Sequence, residues 1–317
     1  MKRQRIIIIG PGRMGLGIAL AFALHKFEIK ILDLKSRLPR EYETVEKKAK
    51  QELTSDLKLL KRIGYLKGSS ERIVSNISFL HGLKEEHLQG DFVFEAIPEK
   101  ANVKVALFKR ISPYLHPETI VASATSTIDL KTLKTGFLNP ANLLITHWLN
   151  PAFIIPLVEI ARAEWTDTET VDRMKDLLKR IGKTPVVLRD SPGFIIPRIQ
   201  ALAMNEAVHI LEEGIATAED IDVAIKYGFG FRLAAFGLLE FVDMGGLDIL
   251  YYADQFLYSA FKSERFKVPE LIEEKMRKGE VGPRTGKGIY DYRDIPVKLL
   301  FEDRYRKLVK LLRLLKR

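Results

Sequence analysis

The chain contains no cysteine, which excludes disulfides, cysteine-ligated zinc and thiol catalysis. It has no apolar run near the ~18 residues that a membrane helix needs. Nor does Met1-Lys2-Arg3-Gln4-Arg5 read as a secretory leader, because the apolar segment behind it is short and ends in glycine. These absences predict a soluble, cytoplasmic protein with no membrane partner and no metal site. What is present is 317 residues that are 46% hydrophobic, enough for a large core and for two domains rather than one. Surfaces rich in Lys and Glu, combined with the missing cysteine, fit a thermophile.

The formal net charge is +10, yet acidic residues are mixed with the basic ones through most of the chain. The exception is Arg304 to Arg317, where seven Lys or Arg face no acid. Leu308, Leu311, Leu312 and Leu315 recur there at helical spacing. A basic amphipathic helix over 296–317, docked on the body or on a partner subunit, is the expectation in preference to a nucleic-acid or membrane arm. A positive surface also suits a substrate carrying several phosphates.

Strand and helix signals alternate from Arg5 to about Leu188, as in βαβ units. Candidate strands are Arg5–Ile9, Phe27–Leu32, Phe92–Glu95, Ile120–Ala122, Leu143–His147, Pro156–Ile160 and Pro185–Leu188. The predicted fold is an α/β Rossmann-type doubly wound sheet over 1–189, with a charged helical arm at about 39–68 projecting from it. After Ser191-Pro192-Gly193 only helical patterns remain, which predicts a second, all-α domain over 190–295.

Gly10-Pro11-Gly12-Arg13-Met14-Gly15 joins the β-branched run Ile6–Ile9 to an apolar helix, the order of a dinucleotide cradle. Gly10 makes the tight turn, Gly12 admits a pyrophosphate to the backbone, and Gly15 lets helix and strand pack closely. Asp33 ends the next strand about 20 residues on, where a carboxylate accepts from the adenosine ribose and disfavours a 2′-phosphate. The cofactor predicted is NAD, although Lys35 and Arg37 soften that repulsion. His147 leaves the sheet at a strand's carboxyl end, the ligand-binding edge of an open α/β sheet. The other histidines, His25, His81, His87, His116 and His209, have no polar constellation in the sequence around them. Glu159 lies in the apolar run Pro156–Ile160, a costly place for an unpaired carboxylate. A carboxylate-held imidazole is a good general base. Spacing alone leaves equally open a structural histidine and an unrelated, solvent-facing glutamate.

Taken in order, these pieces resemble the 3-hydroxyacyl-CoA dehydrogenase family over roughly residues 5 to 292. The matching segments are the glycine turn, Asp33, Glu95-Ala96-Ile97-Pro98-Glu99, Ala122-Ser123-Ala124-Thr125-Ser126, His147-Trp148-Leu149-Asn150-Pro151, Leu157-Val158-Glu159, Ser191-Pro192-Gly193-Phe194 and Thr285-Gly286-Lys287-Gly288-Ile289-Tyr290. The resemblance implies that His147 is the catalytic base, Glu159 its partner, and Ser126 a donor to the reacting oxygen near the nicotinamide. It also implies cofactor contacts at Gly10, Gly12, Arg13, Met14, Gly15, Asp33, Glu99, Lys104, Ser126 and Asn150. The activity it implies is oxidation of a short (S)-3-hydroxyacyl-CoA such as 3-hydroxybutyryl-CoA, in fatty acid metabolism, by a homodimer. Lys47, Lys48, Lys50, Lys58, Lys61 and Arg62 lie where family members contact CoA. The chain departs from the pattern at Pro197, where the family has a substrate-positioning asparagine, and at Ala124 in the serine loop. Asn205, two helical turns on, is a poor substitute for the lost amide. Two rival readings follow: a dehydrogenase of free 3-hydroxy acids such as L-gulonate, with Arg198 and Arg232 as a carboxylate clamp, and a non-enzymatic nucleotide-binding protein. Phe229 to Val242 is the expected dimer surface, with a helical-domain core as the equal alternative.

Overall fold

The computed structural model describes residues 4–315; Met1–Arg3 and the last two residues of the expected basic helix, Lys316 and Arg317, lie outside them. Among the described residues, eight strands form one sheet in the order β3-β2-β1-β4-β5-β6-β7-β8. They are β1 Ile6–Ile9, β2 Ile29–Asp33, β3 Ile77–His81, β4 Phe92–Glu95, β5 Ile120–Ser123, β6 Leu143–Trp148, β7 Leu157–Arg162 and β8 Thr184–Arg189. Neighbours run parallel except β6 and β7. The strand order reverses at β1, so the crevice beside its carboxyl end is the topological switch point.

Four isoleucines make β1 a central strand because both its faces are covered. Ile6 and Ile8 pack with helices α1 (Arg13–Ala23), α2 (Pro39–Arg62) and α6 (Thr168–Arg180). Ile7 and Ile9 pack on the other face with α4 (Ala101–Ile111) and α5 (Leu130–Leu133). A short α3, Ser70–Val74, precedes β3. Helix α1 is buried from Gly15 to Ala23, as a helix apolar on all sides must be. Burying each such large side chain contributes about 1.5–3 kcal/mol.

The charged stretch expected as a projecting arm is α2, and it lies against the body. Ala49, Leu53, Leu57 and Leu60 form a buried stripe in the same cluster as α1, because their spacing places all four on one helical face. Pro39 starts the helix, and the Glu41 carboxylate accepts from the Leu38 N–H at 2.8 Å. Strand β3 was missed by the sequence reading. It is a short edge strand in which only Ile77 is fully buried.

Two compact units part between Ala203 and Met204, inside helix α7 (Ile196–Glu212). The second unit is helical, comprising the end of α7, α8 (Ala218–Ala224), α9 (Gly230–Leu233), α10 (Leu238–Gly245), α11 (Leu247–Phe261), α12 (Glu270–Arg277) and α13 (Val297–Leu315). Its inner keystone is Asp243, which is 1% exposed and accepts from the N–H groups of Ile289 and Tyr290 and from the Tyr292 hydroxyl. Among the described residues, no helix is long and apolar enough to cross a membrane.

Candidate active site

The carboxyl ends of β1, β4, β5 and β6 bring the candidate residues to one edge of the sheet. After β1, Gly10 takes φ +111°, and a Cβ there would lie 2.7 Å from the Ala96 carbonyl oxygen. A Cβ on Gly15 would fall 2.0 Å from the Gly10 oxygen. These two glycines are therefore demanded by the protein's own packing. Gly12 differs. A Cβ there would meet nothing within 4 Å, and its φ of −85° suits any residue. Nothing inside the chain requires glycine at this position, whereas a pyrophosphate approaching the start of α1 would. No side chain caps that helix, and its first turn carries no acid, which leaves the end electropositive.

Asp33, at the end of β2, is 5% exposed. One carboxylate oxygen accepts from the Lys35 N–H at 3.1 Å and the other from Arg37 Nε at 2.7 Å. The Asp33 carboxylate is therefore held in a fixed orientation by its neighbours. His81, read from sequence as lacking polar company, pairs in register with Asp33 on the next strand. Its Nε2 lies 3.2 Å from Glu46 and its ring stacks on Tyr42. The sequence missed this because strand pairing, not local sequence, brings these groups together.

Glu99, Lys104 and Ser126 meet in a network that includes a carboxylate given no role from sequence, Glu95. Glu95 is fully buried at the end of β4 and accepts from Lys104 Nζ at 2.6 Å, the Ile97 N–H at 2.9 Å and the Ser123 hydroxyl. Lys104, 1% exposed, also lies 3.4 Å from Glu99. Glu99 accepts from the Thr125 and Thr127 hydroxyls and from the Ser126 and Thr127 N–H groups. Burial pushes its pKa up, but the Thr125 bond, the Lys104 charge and the bonds from Ser126 and Thr127 outweigh this and hold it below the usual range. The loop that presents Ser126 is thus clamped from beneath. Its exposed hydroxyl makes no bond within the described residues. Glu95 could have been found by the argument applied to Glu159, a carboxylate closing an apolar strand.

His147 and Glu159 face one another across the antiparallel β6–β7 pair. His147 Nδ1 lies 2.7 Å from one Glu159 oxygen, and the other oxygen accepts from the Ile195 and Ile196 N–H groups at 2.9 and 3.0 Å. Gly193 and Phe194 aim these donors by taking φ of +75° and +45°. For phenylalanine that conformation costs on the order of 1 kcal/mol. Burial alone would raise the Glu159 pKa, but the His147 hydrogen bond, the two N–H groups and the imidazole's charge keep it below the usual range. An ionised Glu159 accepts a proton-bearing Nδ1, which leaves Nε2 as the nitrogen able to take a proton. Nε2 makes no bond within the described residues, and the Phe194 ring lies 5.3 Å from the imidazole. Asn150 is exposed two residues beyond β6.

Models of two domains match the chain: the 3-hydroxyacyl-CoA dehydrogenase NAD-binding domain over residues 5–191 and the C-terminal domain of the same family over 193–292. The chain belongs to the 3-hydroxyacyl-CoA dehydrogenase family. It is 32% identical over 313 residues to 5-formyl-3-hydroxy-2-methylpyridine 4-carboxylate 5-dehydrogenase of Mesorhizobium japonicum, covering 98% of both chains. It is 30% identical over 295 residues to a probable 3-hydroxybutyryl-CoA dehydrogenase of Bacillus subtilis, covering 93% of this chain and 99% of that one. A solved 3-hydroxyacyl-CoA dehydrogenase from Archaeoglobus fulgidus superposes with a TM-score of 0.78 at 33% identity, covering 99% of each chain.

The NAD assigned by the family is the ligand that the open space at Gly12 and the uncapped α1 terminus accommodate. Pro197, the departure from the family pattern, is the second residue of α7. Proline is tolerated in a first helical turn, where the N–H has no intrahelical partner, so the fold is undisturbed and only a side-chain amide is lost. Arg198 is exposed in the first unit, while Arg232, in the second, donates to the Gly228 carbonyl and stacks 4.8 Å over Phe241. Among the described residues, no three His, Asp or Glu side chains group to hold a metal ion.

Proposed function

We propose that the protein oxidises the hydroxyl of a short (S)-3-hydroxyacyl-CoA with His147 as general base. The observation that carries this reading is the buried His147–Glu159 pair, closed on the carboxylate side and free at Nε2. NAD, when bound, supplies the hydride acceptor. His147 Nε2 takes the hydroxyl proton as the C3 carbon gives up hydride, and Glu159 stabilises the imidazolium that results. In reverse the imidazolium protonates the developing alkoxide. Ser126, held by Glu99, donates to the same oxygen, and the Gly10–Gly15 turn, Asp33 and Asn150 hold the cofactor. The CoA phosphates are assigned to the outer face of α2, where Lys47, Lys50 and Lys58 stand among Glu43 and Glu46.

A second reading is favoured by Pro197 together with the Mesorhizobium relative, whose name gives a free carboxylate as its substrate. In this reading the substrate is a free hydroxy acid and a guanidinium binds its carboxylate. NADH oxidation with acetoacetyl-CoA and with free acetoacetate separates the two. The first reading expects kcat/KM to favour the thioester by about 10²-fold or more, about 2.7 kcal/mol of transition-state binding. Equal or reversed values would overturn it.

We further propose a homodimer formed through the helical unit. Ile249, Tyr252 and Phe256 lie on one face of α11 and are 63%, 62% and 73% exposed, an apolar row of the kind that marks an interface. Analytical ultracentrifugation should give twice the 36.2 kDa of one chain, and Phe256→Glu should return the monomer.

A further inference from the structure

Lys183 belongs to none of the sequence motifs, yet it is buried, at 8% exposure, and no carboxylate pairs with it among the described residues. It precedes β8, and its ammonium donates to the carbonyl oxygens of Ala152 at 2.6 Å and Ile155 at 2.8 Å. The Trp148 ring lies 5.9 Å away. Burial pushes the ammonium down to about 8. A lysine kept in such surroundings opposes its own solvation, and an apolar side chain of similar length would fill the same space. What offsets that cost is what the ammonium holds.

The two carbonyls belong to the turn between β6 and β7, the strands that carry His147 and Glu159. Asn150 opens this turn. Inside it, the Ile154 and Ile155 N–H groups both donate to the Pro151 oxygen, and the Thr184 N–H donates to Pro156. From the other side the turn is pressed by α1: a Cβ on Gly17 would lie 3.3 Å from the Ala152 Cβ. Ala152 is therefore in contact with the helix that begins at the glycine cradle, while Lys183 ties its carbonyl.

We propose that Lys183 is a positioning residue for cofactor binding, fixing the 150–156 turn against α1 so that Asn150 is registered with the Gly10–Gly15 cradle. This rests on the reading of Asn150 and the cradle as cofactor contacts. Lys183→Met keeps the aliphatic stem and removes both donated bonds, leaving the buried Ala152 carbonyl and the half-buried Ile155 carbonyl without their donor. Gly17→Ala disturbs the same turn from the opposite side.

The test is fluorescence titration of the full-length protein with NADH, alongside steady-state kinetics and circular dichroism. Lys183→Met and Gly17→Ala should each raise the NADH Kd by about tenfold or more, while kcat at saturating NADH changes by less than about threefold. A folded Lys183→Met protein with wild-type NADH affinity, or one that loses kcat with Kd unchanged, would overturn the assignment. If Lys183→Met does not fold, Gly17→Ala decides in its place: it presses the same turn through Ala152 with Lys183 intact, and an unchanged NADH Kd overturns the proposal. Failure of the wild type itself to bind NADH would overturn the cofactor reading, and the assignment with it.

Discussion

Glu159 in the first unit and Asp243 in the second are the same device put to different ends. Each is 1% exposed. Each accepts from two successive backbone N–H groups and from one side chain: Ile195, Ile196 and His147 for Glu159, and Ile289, Tyr290 and Tyr292 for Asp243. The difference lies in the third partner and in the space around it. Burial, reinforced by Asp243, pushes the Tyr292 phenol up, so that pair holds its proton throughout the working range. A Cβ on Gly288 would lie 2.4 Å from the Asp243 carboxylate, which closes the cluster on itself. His147 carries a second ring nitrogen able to take up a proton, and this nitrogen makes no bond within the described residues, at the carboxyl end of β6. A buried carboxylate fastens a loop in both units. In the proposed function it serves chemistry only where its partner can exchange a proton.

Replacing each carboxylate should separate these roles. Asp243→Ala takes the acceptor from three donors, one of them the buried Tyr292 hydroxyl, and should cost about 3 kcal/mol of stability, read as a lowered urea midpoint. Retention of the wild-type midpoint would break the comparison on the structural side. Glu159→Gln should lower kcat by about 10²-fold, about 2.7 kcal/mol, with NADH affinity retained. If NADH affinity falls with kcat unchanged, Glu159 is only a fastener, like Asp243. Gly288→Ala should destabilise by about 1–3 kcal/mol through overpacking against Asp243, measured by thermal unfolding, and should leave the kcat of the surviving fold near wild type.

The smallest effect is one of pH. The Glu159 pKa lies below its ordinary 4.5 in the folded protein. Its stabilisation is therefore fully present above 4.5 and is lost as pH falls through the lower folded value, where the unfolded chain has already taken up its proton. Urea midpoints measured from pH 7 down to pH 3 should fall less steeply for Glu159→Gln than for wild type. Parallel curves would show that the His147 bond and the two N–H groups do not hold the carboxylate ionised.

The glycine turn and the strand alternation were legible because each leaves a local mark: β-branched runs and glycines at fixed offsets. The His147–Glu159 pair was legible only in part: a carboxylate inside an apolar strand called for a partner, but spacing left the pair and two unrelated residues equally open, and the family resemblance alone implied it. The sequence was silent where partners are distant or are backbone atoms. Nothing near Lys183 in the chain announces the carbonyls of Ala152 and Ile155. Nothing near Glu159 announces donors at Ile195 and Ile196, supplied by a turn whose φ values a sequence only hints at through Gly193. Edge strand β3 was lost because its alternation is too short to stand out: Ile77 and Phe79 alternate with Ser78, but Leu80 and His81 break the pattern before Gly82. The stripe that lays α2 on the body was present in Ala49, Leu53, Leu57 and Leu60, but the surrounding charges suggested an arm.

The central claim is that His147 moves the proton, and the most direct test is His147→Gln assayed for single-turnover NADH oxidation with acetoacetyl-CoA or acetoacetate, whichever the wild type prefers, with NADH binding measured in parallel. The account predicts a rate lower by about 10²–10⁴-fold with NADH affinity near wild type. An unchanged rate would contradict it and leave the pair as a second structural fastener.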